Sequence, residues 1–321
     1  MSGQGGTAPD AGRAGRTAAT GGTAPDARYV DVAGHPVRVR VSGPAAGQPV
    51  LLLHGIGRSL EDWWPAHDLL AREHRVISMD LPGFGLTRAP RKARPGLAAF
   101  ARAAVGVLDA LGERRPAYLM GNSLGGAVSM TVAAGRPDRV AGLVLAASAG
   151  FGREARLSLR PMAYAALAGL PVVGGGFRPR ARAAGLKVNQ DLFHDPAQAT
   201  EDRVRHAAKV GRQPDFRAAF VATGLSMGAP LVGAYPGWRR RLLNTLAEAR
   251  TPALVLWGDT DRVLPTRHFH AALAALPHAE GHLLPRTGHL PQLERPETVV
   301  ALANDFLRAT SATGTADVAP A

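Results

Sequence analysis

No cysteine occurs among the 321 residues. That absence removes disulfide frameworks, thiolate nucleophiles and cysteine-ligated zinc or iron–sulfur clusters from consideration. Aromatic residues are scarce, at 5%, and no nucleic-acid-binding module is recognisable, so the basic and aromatic platform on which a nucleic acid would lie is not expected. Long apolar runs are missing too. The longest uncharged stretch, between Arg217 and Arg239, is broken by Pro230 and Pro236 and by Gly224, Gly228, Gly233 and Gly237, which argues against stable membrane insertion and for the wall of something soluble. The first 27 residues hold only scattered alanines among Gly, Thr, Asp and Arg, and the phrase Gly5 to Ala11 (GGTAPDA) recurs at Gly21 to Ala27. A disordered low-complexity tail without a secretory core is expected over residues 1–27, with cytoplasmic residence as the default.

What is present describes a globular chain. Hydrophobic residues make up 46%, and the formal net charge is +13. Short apolar runs at Val50 to Leu53, Val76 to Met79, Ala117 to Met120 and Val140 to Ala146 suit central parallel strands buried on both faces. Tyr29 to Val32 and Val37 to Val41, separated by Gly34, read as an antiparallel start. Stretches with helical spacing lie between the apolar runs, at Leu60 to Leu70, Leu97 to Leu111 and Leu124 to Ala134. The alternation predicts an α/β fold with a doubly wound, mostly parallel sheet.

After Ala147 the rhythm breaks for about a hundred residues, predicting an inserted helical cap over 150–250. It resumes with a strand at Ala253 to Trp257, a helix around Arg267 to Leu276, a strand near His282 to Leu284 and a last helix from Pro296 to Leu307. Residues 28–149 and 251–310 would then form the core, and 311–321 a frayed end. Between Phe151 and Arg250 sixteen Lys and Arg stand against seven Asp and Glu. Such a surplus steers anionic substrates in some proteins, but with Lys92, Lys187 and Lys209 as the only lysines the preferred reading is a general bias toward arginine on solvated faces.

Gly121-Asn122-Ser123-Leu124-Gly125 follows an apolar strand directly and opens a helix, the setting of a nucleophile elbow. A serine hydroxyl is a poor nucleophile until a base takes its proton, and the base needs a third group to orient it. Ser123 therefore calls for a histidine and a carboxylate. His268 and His270, two apart on a predicted helix, point to different faces and do not make a metal site. His282 falls inside a predicted strand.

With these motifs the chain resembles the α/β-hydrolase superfamily, from about Tyr29 to Leu307. His54-Gly55-Ile56-Gly57 is similar to its HGxG oxyanion loop, Asp80 to Gly85 (DLPGFG) to a turn after the next strand, Trp257 to Arg262 (WGDTDR) to the segment carrying the acid, and Gly288-His289 to the loop carrying the base. The resemblance implies Ser123 as nucleophile, Asp261 as acid by the spacing from Gly258, and His289 as base, with Asp259 a turn residue. It gives His54 a bracing role and the backbone N–H groups of Ile56 and Leu124 the oxyanion hole. The order Ser123, Asp261, His289, with separations of 138 and 28 residues, suits this fold.

Serine in the elbow, where haloalkane dehalogenases and epoxide hydrolases of the superfamily carry aspartate, directs the expectation to carbonyl chemistry through an acyl-enzyme, with no cofactor and no metal required. Carboxylic ester hydrolysis ranks first. Hydrolysis of a carbon–carbon bond in a vinylogous diketone ranks second, because the GNS elbow and the segment Phe193-His194-Asp195-Pro196 through Gln213-Pro214 and Phe220 resemble meta-cleavage product hydrolases. Those enzymes usually carry tryptophan where Leu290 stands, and an acid-binding arginine that aligns with His206, for which Arg203 or Arg205 would have to substitute. A non-catalytic small-molecule binder on the same fold is the reading from a different class. Expected pocket walls are Trp63, Phe84, Phe151, Tyr164, Trp238, Val263 and Leu290, with Trp64 and Met227 beside them, pointing to a small-molecule substrate with an apolar acyl or aryl group. Oligomeric state is not readable.

Overall fold

The computed structural model describes residues 26–90, 94–154, 174–229 and 233–316. The expected tail lies outside them apart from Asp26 and Ala27, and so does Tyr164.

The chain opens with β1 (Arg28–Val32) and β2 (His35–Ser42), paired antiparallel. Then β3 (Pro49–Leu53), α1 (Trp64–Leu70), β4 (Arg75–Met79), α2 (Leu97–Ala110), β5 (Ala117–Asn122), α3 (Leu124–Gly135) and β6 (Val140–Ala146) alternate. An insertion follows, made of α4 (Gly174–Asp191), α5 (Glu201–Gly211), α6 (Phe216–Met227), a two-residue ladder of β7 (Gly228–Ala229) with β8 (Gly233–Ala234), and α7 (Pro236–Glu248). The core returns with β9 (Ala253–Gly258), α8 (Arg267–Ala275), β10 (Glu280–Leu284), the four-residue α9 (Pro291–Glu294) and α10 (Pro296–Ala316).

The eight-stranded sheet has the order β1-β2-β4-β3-β5-β6-β9-β10, with β2 antiparallel to its neighbours and every pair from β4 to β10 parallel. Alternation along each central strand divides the core. Leu51, Leu53, Ile77, Leu119, Leu143 and Val255 join α2 and α3 on one face, while Val50, Leu52, Val76, Met120, Val144 and Leu254 join α1 and α10 on the other. This two-sided burial explains the continuous apolar runs, and each such side chain contributes about 1.5–3 kcal/mol by leaving water.

The order reverses at β3, whose neighbours are β4 and β5, and the crevice outside the carboxyl ends at such a reversal is where ligands bind in open α/β sheets. The loops after β3, β5, β9 and β10 therefore converge on one edge. No helix among the described residues is long and apolar enough to cross a membrane.

Two boundaries differ from expectation. The last helix, expected to run from Pro296 to Leu307 with a frayed end over 311–321, continues to Ala316, and the Tyr118 hydroxyl meets Thr310 Oγ1 at 2.6 Å while the Thr310 and Ser311 hydroxyls bond back to the carbonyls of Phe306 and Leu307. The insertion, expected to lack strands, contains the short β7–β8 ladder.

Candidate active site

Ser123 sits between β5 and α3 with φ 54° and ψ −115°, a backbone state that L-residues avoid and that marks functional turns. The strain is held by contacts a side chain would destroy. A Cβ on Gly125 would lie 2.1 Å from the carbonyl oxygen of Leu53, so the helix packs directly against the end of β3. The Ser123 carbonyl accepts from the N–H groups of Gly126 and Ala149, and its own N–H donates to Ala146.

The carboxylate that meets the His289 imidazole belongs to Asp261. Its Oδ2 lies 2.8 Å from Nδ1, and its Oδ1 accepts from the N–H groups of Val263 and Leu264 at 2.7 and 2.9 Å. Both side chains are buried. An ionised acceptor held by two backbone donors selects the Nδ1–H tautomer and leaves Nε2 as the basic nitrogen. Asp259 instead accepts from the Thr287 N–H, bracing the loop that leads to the histidine. Asn122, next to the serine, donates through Nδ2 to the carbonyls of Ala146 and His289, so the elbow and the histidine loop are tied by one amide.

Neither the Leu124 N–H, at the first helical position, nor that of Ile56 donates to any group among the described residues. An ideal Cβ on Gly55, the residue before Ile56, would stand 3.4 Å from the Ser123 Cβ. Two uncommitted donors thus flank the serine. His54 braces this loop: Nδ1–H donates to the Gly55 carbonyl, and Nε2 accepts from the Leu81 N–H at 2.9 Å. Burial lowers its pKa and keeps it neutral, as the acceptor role of Nε2 requires. His268, buried beside Glu154, and His282, paired with Glu280, serve locally.

Among the expected walls, Phe84, Phe151, Val263 and Leu290 are buried in the core layer that contains Leu124, and Trp238 packs against it with Nε1–H donated to Met227. Trp63 is a correction. It lies in the opposite layer, with Leu52, Ala66 and Leu70, because the 3-10 turn Leu60–Trp63 carries it beneath α1. Phe216 and Phe220 of α6 replace it as aromatics over the oxyanion loop, each approaching within 3.2 Å of where a side chain on Gly57 would begin.

His206 does not occupy an acid-binding position open to a ligand. Its Nε2 lies 2.8 Å from Ser59 Oγ and 3.2 Å from Glu61 Oε2, and Glu61 joins Arg38, which reaches buried Asp80. Arg205 is spent on Glu201 and Asp202. Arg203 is half-buried over the Phe193 ring, donates to the Gln198 carbonyl and has no carboxylate within ion-pair distance among the described residues.

A reversed-order sheet, a strained serine elbow and a histidine–carboxylate pair on neighbouring loops define an α/β hydrolase. The chain belongs to the alpha/beta hydrolase fold family, whose model matches residues 48–296. Among its relatives, the dihydrolipoyllysine-residue acetyltransferase component of an acetoin cleaving system from Pseudomonas putida is 34% identical over 88% of this chain and 70% of its own length. A 2-hydroxy-6-oxo-2,4-heptadienoate hydrolase from Pseudomonas putida is 30% identical over 82% of this chain and 90% of its own. A crystal structure of a serine hydrolase involved in carbazole degradation superposes with a TM-score of 0.71 at 25% identity, over 88% of this chain and 98% of that one.

Proposed function

We propose that this hydrolase cleaves carboxylic esters through Ser123, His289 and Asp261. The observation that carries the reading is the 2.8 Å contact between His289 Nδ1 and Asp261 Oδ2, in the loop tied through Asn122 to the strained Ser123 elbow. His289 Nε2 takes the hydroxyl proton as Ser123 Oγ attacks the carbonyl carbon, and the π pair moves to the oxygen, where the Leu124 and Ile56 N–H groups stabilise it. Collapse expels the alkoxide, which leaves with the proton from His289. A water deprotonated by His289 then attacks the acyl-enzyme, and the carboxylic acid departs as Ser123 recovers its proton.

The apolar layer around Leu124, with Phe216 and Phe220 above the oxyanion loop, supports an apolar acyl group. Activity on p-nitrophenyl esters is expected to rise from acetate to at least butyrate, and a monotonic fall would count against that pocket. A fluorophosphonate probe is expected to label wild-type protein and not Ser123→Ala. Absence of labelling in the wild type favours a binder on the same fold.

Carbon–carbon hydrolysis is the second reading. Arg203, half-buried with no carboxylate within ion-pair distance among the described residues, is suited to a substrate carboxylate, and one relative is by name a hydrolase of a 2-hydroxy-6-oxo-dienoate. Leu290 in place of tryptophan and the engaged His206 weigh against it. Assaying simple esters beside a dienone ring-fission product separates the two chemistries.

A further inference from the structure

We propose that Glu294 is a positioning residue that clasps the insertion to the histidine loop, so that the seating of the insertion sets where the His289 imidazole stands. This rests on the reading of His289 as the base. The two carboxylate oxygens of Glu294 are divided between the two parts of the molecule: Oε1 accepts from the Gly288 N–H and Oε2 from the His194 N–H, each at 2.8 Å. On either side of the clasp the insertion touches the histidine loop again and the acid loop beside it. The His289 N–H donates to the Leu192 carbonyl at 2.7 Å, and His194 Nδ1 lies 3.0 Å from Thr260 Oγ1, which donates to Thr287.

Gly288 makes this stitching possible, since a Cβ there would fall 2.7 Å from both the His194 nitrogen and the Leu192 oxygen. Glu294 itself has no Lys or Arg within ion-pair distance among the described residues. A half-buried carboxylate depends on its N–H donors, and here one comes from the insertion and one from the residue before the base, with Leu290, the residue after the base, as a third. Burial raises its pKa, while backbone N–H groups, those of His194 and Gly288 foremost, and the nearby His194 charge act the other way.

Glutamine at this position keeps one acceptor and turns an NH2 donor against an N–H. Misplacement of a reacting group by about 1 Å costs roughly 100-fold in rate, so Glu294→Gln is expected to lower kcat by about 10- to 100-fold with KM changed less than about 3-fold.

The test uses full-length wild type, Glu294→Gln and the milder Thr260→Val. It combines titration to completion with a fluorophosphonate, kcat and KM on p-nitrophenyl butyrate per titrated site, and hydrogen exchange at the Gly288 and His194 amides. Full titration, reduced kcat per site and faster exchange at both amides together support the clasp, with Thr260→Val changing the same quantities less and carrying the test where Glu294→Gln fails to fold. An unchanged kcat per site with only a lower thermal midpoint overturns it, as does exchange that rises at one amide alone. A wild type that does not label at Ser123 removes the serine reading and this role with it, whereas a labelled wild type with an unaffected variant removes the clasp alone.

Discussion

In the core, Ser123 is fixed by backbone: a strained dihedral, a helix pressed onto the carbonyl of Leu53, and main-chain bonds to Ala146 and Ala149. In the insertion, by contrast, the main-chain bond from His289 to Leu192 is joined by side-chain links, with Arg58 on Asn189, Arg88 on Asp215, His206 on Ser59 and Glu61, and Glu294 on His194. The first arrangement tolerates no change of atom positions. The second can be loosened one link at a time.

The sharpest way to break the comparison is at the carboxylate of the core. Asp261→Asn is expected to lower kcat about 10⁴-fold, because the amide favours the wrong imidazole tautomer, while Asp259→Asn should cost less than about 10-fold; steady-state kinetics with circular dichroism as a fold control check the pair, and the reverse pattern reassigns the acid. Next comes packing. Gly125→Ala drives a methyl into Leu53 and is expected to cost about 4 kcal/mol or more, seen as loss of soluble protein or a large drop in thermal midpoint. Gly224→Ala, inside α6 with no atom near its Cβ direction, is expected instead to stabilise by up to about 1 kcal/mol.

The smaller effect concerns pH. Burial lowers the pKa of His67 to about 3 and also lowers that of His54, both from an ordinary value of 6.5. With folded pKa values below the unfolded one, the unfolded chain binds more protons, so stability is fully present above about pH 6.5 and is lost as pH falls toward the folded values. Thermal midpoints between pH 8 and pH 5 are expected to fall, and His67→Gln should flatten that slope.

The sheet was legible because strands covered on both faces must be apolar throughout, and the elbow because tight turns demand glycine. Asp261 and His289 were read from the family resemblance, Asp261 through its spacing from Gly258, and the 2.8 Å contact brings the two together. Trp63 was misjudged for a related reason: a run buried on both faces carries no sign of which layer a following aromatic joins. Phe216 and Glu294 escaped notice, and Phe220 was read only as part of a resemblance and not as a pocket wall, because their partners are remote in sequence, His194 and Glu294 being 100 residues apart. The one available hint was Gly288, a glycine beside the base that no turn requires, since its φ is not positive.

The bond from His289 to the Leu192 carbonyl has a practical consequence for exchanging this insertion with another sequence. A graft that replaces the insertion wholesale also brings in a new neighbour for the imidazole. Chimaeras meant to alter selectivity alone should therefore keep residues 192–194 native and place both junctions elsewhere in the insertion.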